Sequence, residues 1–331
     1  MLKETLGRGD GPGEPDPEAA AAAEQASAPR QAGALRARLT GLRQLIRANR
    51  LFSAALAVAI IPRVIVMLGF QPAVLFKLDS YDYLWDAVHL QPNPVNPNGY
   101  SLFLWLFKPF HSLTLIAGIQ HILGLVAAVL VYAVLRRLGV RAWIATLASA
   151  TILFDPAQFN FEQLIMADLL AMVLMIMAFA VLLLREDPSL PRAATAGLLM
   201  GVSATIRPTT LPLIVFLGVF LVLRNRAWLK AGVTVLAGAL PVLAYMSWFA
   251  AVYGSFNLTN SNGLFLWSRT MSFANCSVIK PPADLRALCP EVQPRQQALP
   301  AGSQRLLPKM FLWDHTAWQW NHPQTGVVPD T

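Results

Sequence analysis

Long runs of apolar residues, separated by short polar loops, constrain this chain more than any other feature of its sequence. A helix that crosses the hydrocarbon core of a bilayer needs about 20 apolar residues. Seven stretches reach or approach that length, at approximately residues 51–70, 113–135, 142–157, 162–184, 193–207, 209–223 and 231–252. We therefore predict an all-α polytopic membrane protein with about seven transmembrane helices and outward-facing loop helices.

The composition and the placement of charge agree with this prediction. Hydrophobic residues make up 55% of the chain and charged residues 13%, about half the charged share of an average soluble domain. The net charge of +8 is compatible with nucleic-acid binding, but the basic residues lie beside the apolar stretches and form no nucleic-acid module. We predict contacts with membrane lipids and none with nucleic acid.

The chain divides by composition into four parts. Residues 1–34 combine Gly, Pro, acidic residues and an alanine run, which predicts a disordered cytoplasmic tail. This stretch is not expected to be a signal peptide, because no apolar region follows the first Met within the usual distance. Residues 35–50 carry arginines among leucines and predict a basic amphipathic juxtamembrane helix. Residues 51–253 form the transmembrane domain, with an outward loop at 71–112. Residues 254–331 form an extracytoplasmic C-terminal segment.

The orientation follows from the distribution of Lys and Arg between alternate loops. Cytoplasmic loops of membrane proteins are enriched in these residues. Besides the arginines of 35–50, the groups on one side are Arg136, Arg137 and Arg141, then Arg185 and Arg192, then Arg224, Arg226 and Lys230. We predict a multi-pass protein of the plasma membrane, with the N-terminus in the cytoplasm and the C-terminus outside.

Three carboxylates in the first outward loop are the leading candidates for chemistry. Asp79, Asp82 and Asp86 are spaced by three and four residues, so a helix would place them on one face. Such a cluster can supply a general base or bind a divalent cation, Mg²⁺ or Mn²⁺, at Asp79 and Asp82. The alternative is a solvated acidic helix. We expect Asp86 to be solvated. His89 nearby is a candidate ligand or base, although a single loop histidine is more often neither.

A second group of charged residues lies at or inside the predicted membrane. Glu162 and Asp168 stand at the outward end of the third and fourth stretches, and carboxylates at such depth usually face a polar cavity. Their alternative is a helix-packing ion pair, with Arg207 as one partner. Arg63 and Arg207 are candidates for binding a lipid phosphate, because the guanidinium fork matches phosphate geometry. Snorkelling to the headgroups is the alternative for both arginines.

Four motifs in their order along the chain resemble the GT-C superfamily of polyprenyl-phosphate-sugar-dependent glycosyltransferases. They are Asp79-Ser-Tyr-Asp-Tyr, Asn98-Gly-Tyr-Ser-Leu-Phe-Leu, Phe161-Glu-Gln-Leu-Ile-Met-Ala-Asp168 and Ala204-Thr-Ile-Arg-Pro208. The sequence is most similar to the members that use dolichyl-phosphate-mannose-like donors, and its outer segments are similar to those of actinobacterial members.

The resemblance implies an inverting transfer of a sugar such as mannose from a polyprenyl-phosphate carrier to a glycan, lipid or protein acceptor of the cell envelope. It implies that Asp79 is the base or a metal ligand, and it extends to Glu162, Asp168 and Arg207. Family chains continue through further spans, so this chain is expected to be C-terminally short. The alternatives are a non-catalytic membrane partner or truncated paralogue, and a transporter, whose paired repeats we do not find.

Cys276 and Cys289 are the two cysteines of the chain. Both fall in the segment that we place outside the cell, where the environment is oxidising. We therefore predict a disulfide between them.

Overall fold

The computed structural model describes Thr40, residues 43–271, Val278, Ile279 and Pro282. The predicted tail at 1–34, the predicted disulfide between Cys276 and Cys289, and most of the predicted segment 254–331 lie outside the described residues. Of the predicted basic helix at 35–50, residues 43–48 are described as helical, and their side chains are exposed.

The described part of the chain is built from α-helices. In chain order they are α1 (Arg50–Val58), α2 (Ile60–Gly69), α3 (Asp79–His89), α4 (Gly99–Phe107), α5 (Leu113–Arg137), α6 (Ala142–Phe154), α7 (Pro156–Gln163), α8 (Ala167–Leu183), α9 (Leu190–Ile206), α10 (Leu211–Asn225), α11 (Trp228–Tyr253) and α12 (Asn262–Met271). Short 3₁₀ turns follow α4 and α9. Among the described residues, β-pairing is limited to an isolated bridge between Val74 and Leu164. The all-α prediction is confirmed for this part of the chain.

Three helices in the described part are long and apolar enough to cross a membrane. They are Arg50–Gly69, Leu113–Arg137 and Trp228–Tyr253. Shorter apolar helices span Ala142–Phe154, Ala167–Leu183 and Pro208–Arg224. These lengths and compositions indicate a membrane protein. The chain falls into two units, one ending at Ala57 and one beginning at Val58, and the site described below belongs to the second unit.

Two of the predicted apolar stretches are shorter as helices than the sequence suggests. The stretch predicted at 142–157 ends as a helix at Phe154, because the Asp155 side chain accepts a hydrogen bond from the Ala157 N–H and starts α7. The stretch predicted at 162–184 is interrupted at residues 164–166, since α7 ends at Gln163 and α8 begins at Ala167. An apolar run in sequence therefore contains a backbone break that hydropathy alone does not reveal.

Pro208 ends α9, as the sequence predicts. Proline disfavours a helical conformation in the residue before it, and Arg207 has φ −134° and ψ 106°, an extended conformation. A 3₁₀ turn at Pro208–Thr210 then leads into α10. The Arg207 side chain consequently leaves from the exposed end of a helix and not from its wall.

Helices α9 and α11 run parallel and pack closely through glycines. A Cβ at Gly197 would lie 2.1 Å from the Thr234 carbonyl oxygen, and one at Gly201 would lie 2.1 Å from the Gly238 carbonyl oxygen. The Thr234 hydroxyl also donates to the Ala193 carbonyl at 3.1 Å. Gly197 and Gly201 are spaced four residues apart and therefore form a helix-packing surface on α9.

The basic loops lie at the end of the helices away from Arg207. Arg137, at the end of α5, pairs with Glu186, after α8, at 2.9 Å. Lys230, in the first turn of α11, pairs with Asp187. The loops that carry the Lys and Arg groups are thus joined to one another at one end of the helical unit.

We predict that Gly201→Ala lowers the free energy of unfolding by about 1–3 kcal/mol, the usual cost of forcing extra volume into a packed site. The added methyl group would collide with the backbone of α11. Gly232→Ala, in α11 with open space around it, serves as the control and should be neutral or stabilising. Equal unfolding midpoints for both variants in detergent would contradict this packing.

Candidate functional site

The loop at 71–112 is attached to the backbone break between α7 and α8. Val74 N–H donates to the Gln163 carbonyl, and Ile165 N–H donates to the Val74 carbonyl, both at 3.0 Å. The fully buried Ser80 hydroxyl donates to the Ile165 carbonyl at 2.8 Å. Because these bonds connect the first turn of α3 to the start of α8, they fix the position of Asp79 relative to Asp168.

Three charged residues at three helix ends form the centre of the candidate site. Asp79 and Asp168 lie in the first turns of α3 and α8, and Arg207 follows the last residue of α9. An Arg207 terminal nitrogen donates to Asp168 Oδ2 at 2.5 Å. Carboxylates at helix N-termini and a cation at a helix C-terminus are each favoured by the helix dipole. Asp168 and Arg207 thus form the ion pair that was the alternative to a carboxylate facing a polar cavity.

The predicted helix over the three loop carboxylates is also confirmed, and its environment changes their acidity. Burial raises the pKa of Asp79, although Arg207 and the Asn96 side chain lower it and Asp168 raises it. Burial and the neighbouring charge of Asp79 raise the pKa of Asp82. A carboxylate with a raised pKa is a stronger proton acceptor than an ordinary aspartate.

The prediction that Asp86 is solvated is wrong. Its side chain is 4% exposed, and its Oδ2 atom has no hydrogen-bond partner among the described residues. Burial raises the pKa of Asp86 to about 7, with the Asn93 side chain and His89 lowering it and Asp82 raising it. The physical reason for the difference is the loop at 91–98, which covers the second turn of α3.

That loop is held down by asparagines and by tyrosines of α11. Asn98 Oδ1 accepts the Asn93 N–H at 2.7 Å, and Asn93 Oδ1 accepts the Val95 N–H at 2.8 Å. The Tyr245 hydroxyl lies 3.4 Å from Asn98 Oδ1, and the Tyr253 hydroxyl donates to the Pro92 carbonyl at 2.7 Å. These hydrogen bonds hold the loop at 91–98 in one conformation beside α3, where it forms one side of the site.

Two further residues complete the site, and sequence reasoning missed both. Tyr83 stands one turn after Asp79 on α3 and is 1% exposed, with its ring edge-to-face against Tyr100 at 5.1 Å between centroids. Burial raises the pKa of Tyr83 to about 12. Among the neighbouring charges, Arg207 has the largest effect and lowers this pKa, whereas Asp79 and Asp168 raise it. Asn96 lies beside Asp79.

Arg63 and Glu162 belong to a different cluster. Glu162 is fully buried and its carboxylate accepts from Arg63 at 2.8 Å and from Gln158 at 3.0 Å. Arg63 also donates to the carbonyls of Ala59 and Leu153, both at 3.0 Å. This is the arrangement of the helix-packing ion pair, with Arg63 and not Arg207 as the partner of Glu162. A role of this pair in binding a lipid phosphate stays a prediction.

His121 of α5 is the third ionisable member of this buried cluster. Its Nδ1 lies 2.7 Å from Glu162 Oε2 and its Nε2 lies 2.9 Å from Gln163 Oε1. Gln163 donates its amide N–H to the Phe70 carbonyl, which leaves Oε1 facing the ring. Both ring nitrogens thus lie within hydrogen-bond distance of side-chain oxygens of α7. A Cβ at Gly124 would lie 1.8 Å from the Glu162 carboxylate, so a glycine is required there.

The predicted roles of His89 as a ligand or base, and of Asp79 and Asp82 as metal ligands, are not tested by the contacts of the described residues. His89 is exposed, its ring stacks on Trp85 at 3.7 Å between centroids, and its Nδ1 lies 2.9 Å from the Trp85 carbonyl oxygen. Within the described part of the chain, no group of three or more His, Cys, Asp or Glu side chains is arranged to hold a metal ion. A divalent cation at Asp79 and Asp82 therefore stays a prediction.

An apolar groove begins where the charged site ends. Its volume is about 620 Å³. Residues from α4, α8, α9 and α11 line it, among them Phe103, Leu170, Thr205, Ile206 and Trp248. Thr205 and Ile206 are the two residues immediately before Arg207. The groove therefore reaches the end of α9, one residue before Arg207.

The residues that sequence reasoning missed differ in how visible they were. Gln120 and His121 interrupt the apolar run of α5, and polar residues inside a transmembrane helix are a signal of buried contacts. Tyr83 and Asn96 carry no such signal, because an aromatic residue in an outward loop and an asparagine in a turn have ordinary explanations there.

Comparison with protein-family models, with curated proteins and with solved structures finds no match for this chain.

We predict that the stability of the protein falls as the pH rises from about 4 to about 7, in part because Asp86 must ionise inside the fold. The folded-state pKa lies above the unfolded one, so the stabilisation is complete below pH 4 and is lost as the pH passes the folded value near 7. The effect is at most about 4 kcal/mol, at about 1.4 kcal/mol per pKa unit.

Asp86→Asn removes this titration and should flatten the dependence of the unfolding temperature on pH between 4 and 8. Thermal unfolding of both proteins in the same detergent across that range measures it. An unchanged slope in the variant would show that Asp86 does not titrate in a buried environment.

Proposed function

We propose that this chain is an integral membrane glycosyltransferase that moves a sugar from a polyprenyl-phosphate carrier to an acceptor outside the cell. The observation that carries the proposal is the order of features at the end of α9: Thr205 and Ile206 line the apolar groove, and Arg207, which follows them, pairs with Asp168 close to Asp79. A ligand that fits such a surface has an anionic head and a long apolar tail. A polyprenyl phosphate sugar has both.

The groove supports the apolar half of this proposal. Its walls are almost entirely aliphatic and aromatic side chains, including Leu102, Leu106 and Leu174. Burying an apolar chain there is favourable by roughly 25 cal/mol for each Å² that is removed from water. Since the groove leads to Arg207, a chain lying in it would bring its phosphate to the charged site.

The charged site supports the chemical half. In the proposed step the acceptor hydroxyl gives its proton to the Asp79 carboxylate, and its oxygen forms a bond to C1 of the sugar. The bond between C1 and the phosphate oxygen breaks, and the polyprenyl phosphate leaves with the electron pair. Arg207 stabilises the negative charge on that leaving phosphate. The raised pKa of Asp79 makes it a better acceptor for the proton.

The positive charge that the leaving phosphate requires comes from Arg207, so no step in this proposal passes through a metal ion. If a divalent cation binds, Asp79 and Asp82 are the residues that would hold it, together with the phosphate of the donor. The sugar that we propose is mannose. The choice of sugar and of acceptor would depend on parts of the site that the donor phosphate does not contact.

We propose the seven-span topology with this function. The short helices α6, α8, α9 and α10 would then cross the bilayer together with the three long ones. The protein would lie in the plasma membrane, and its N-terminus would lie in the cytoplasm. Support comes from the grouping of the basic loops through Arg137–Glu186 and Lys230–Asp187, at the end away from Asp79.

Labelling of single cysteines tests this topology. In a protein whose Cys276 and Cys289 are replaced by serine, His111→Cys should react with a membrane-impermeant maleimide added to intact cells, whereas Arg185→Cys should react only after lysis. Both positions are exposed in the fold. Labelling of Arg185→Cys in intact cells would reverse the proposed orientation.

Sugar transfer itself is tested with Asp79→Asn. We expect the rate of transfer from a polyprenyl-phosphate sugar to fall by about 10²- to 10⁴-fold, the usual contribution of a general base, with little change in donor binding. Asp82→Asn should weaken transfer to a smaller extent. Initial rates with matched protein amounts in membranes provide the measurement.

Glu186→Gln is the matched control, because it makes the same carboxylate-to-amide change at the far end of the helices. Its rate should stay within about twofold of the wild type, since exposed ion pairs contribute little. Near-normal transfer by Asp79→Asn would rule out the assigned base. If the wild type moves the carrier but transfers no sugar, the transporter alternative is favoured. If it does neither, the non-catalytic partner is favoured.

A further inference from the structure

Three hydrogen-bond donors around Asp79 are buried and have no partner among the described residues. They are the Tyr83 hydroxyl, the Asn96 Nδ2 and the Arg207 Nε. The Asn96 side chain lies close enough to Asp79 to lower its pKa, but it forms no hydrogen bond of ordinary distance and angle there. Leaving a buried donor unpaired destabilises a folded protein, so such groups are few and usually meet a ligand or water. Here three occur in one site.

Hydrogen bonds bring the elements that carry these groups together, because Ser80 of α3 donates to the Ile165 carbonyl just before α8 and Arg207 donates to Asp168 in the first turn of α8. Arg207 and Asn96 both act on Asp79, and Arg207 and Asp79 both act on the Tyr83 hydroxyl. Tyr83 is four residues after Asp79, so both side chains leave the same face of α3. Asp79, Asp168 and Arg207 are each partly exposed, which gives this group an opening to solvent.

The three groups are chemically suited to one kind of ligand. A tyrosine hydroxyl, an amide nitrogen and a guanidinium Nε–H all donate hydrogen bonds, and the last carries positive charge. Asp168 already occupies a terminal nitrogen of Arg207 but leaves the Nε–H unused. A phosphate group offers several oxygens that accept bonds from different directions. A neutral alcohol at the head of the same lipid offers one.

We propose that the Tyr83 hydroxyl and the Asn96 amide join the Arg207 Nε–H as a three-donor site for the phosphate group of the ligand. This inference rests on the proposed function, since it deepens the assignment of the donor site. It adds two binding residues, Asn96 and Tyr83, the second of which ends the motif Asp79-Ser-Tyr-Asp-Tyr but had no role assigned there. It also makes the phosphate, and not the prenyl chain alone, the feature by which the protein selects its carrier.

Tyr83→Phe tests the proposal, because it deletes one unpartnered hydroxyl and keeps the ring against Tyr100. Affinity for undecaprenyl phosphate, measured in detergent with the full chain, should fall about tenfold or more, the usual effect of deleting a hydrogen bond to a charged group. The unfolding temperature should stay the same or rise. Asn96→Ala, as a second variant, should also weaken binding of undecaprenyl phosphate.

Tyr100→Phe is the matched control. Its hydroxyl donates to Gln120 Oε1 at 2.7 Å in the core, so the variant should lose stability and keep its affinity for undecaprenyl phosphate at a temperature where it is folded. Undecaprenol, which has the same chain without the phosphate, should bind wild type and Tyr83→Phe equally. Inorganic phosphate should bind more weakly than the lipid phosphate but with the same dependence on Tyr83.

The outcomes separate this inference from the proposed function. Equal affinity of wild type, Tyr83→Phe and Asn96→Ala for undecaprenyl phosphate overturns the three-donor site, whatever the transfer assay gives. Inorganic phosphate binding as tightly as the lipid phosphate overturns the assignment to a lipid carrier. Tyr83-dependent binding in a protein that transfers no sugar supports the three-donor site and contradicts the glycosyltransferase.

Discussion

The ion pair between Arg207 and Asp168 joins the two helix ends on which the site depends. It holds Arg207, the residue after α9, against the first turn of α8, at a distance of 2.5 Å between the guanidinium nitrogen and the carboxylate oxygen. Both residues stand at helix termini because the backbone breaks there, at Pro208 and at residues 164–166. Without those breaks each charge would sit on the wall of an apolar helix, where it is costly.

A second polar cluster has a different task. Arg63, His121 and Glu162 join α2, α5 and α7, and their hydrogen bonds leave both carboxylate oxygens of Glu162 occupied. Removing one member of a buried ion pair usually costs about 3–5 kcal/mol, because the other charge stays buried without compensation. This cluster packs helices, and the Arg63 Nε, like the Arg207 Nε, has no hydrogen-bond partner among the described residues. The two sites differ in exposure: Arg63 and Glu162 are buried, whereas Arg207 and Asp168 are partly exposed. The Arg207 site is thus the one of the two that is open to a ligand.

The sequence predicts the parts of this structure that depend on local pattern. The spacing of Asp79 and Asp82 predicts their shared helix, Pro208 predicts the end of α9, and the apolar runs predict helices near their observed places. Contacts between distant segments are beyond such reasoning. The burial of Asp86 depends on how the loop at 91–98 folds against α11. The partner of Glu162 is Arg63, 99 residues away in the sequence, a contact that no local spacing encodes.

Photo-cross-linking with a polyprenyl phosphate that carries a diazirine on its chain tests most directly whether the groove and Arg207 form one lipid-phosphate site. The account predicts that the probe labels groove residues such as Leu102 and Trp248 in the wild type, and that Arg207→Ala abolishes most of this labelling. It also predicts little labelling of Leu236, which is exposed on the outer surface of α11. Labelling that is equal at the groove and at Leu236, and unaffected by Arg207→Ala, would contradict the account.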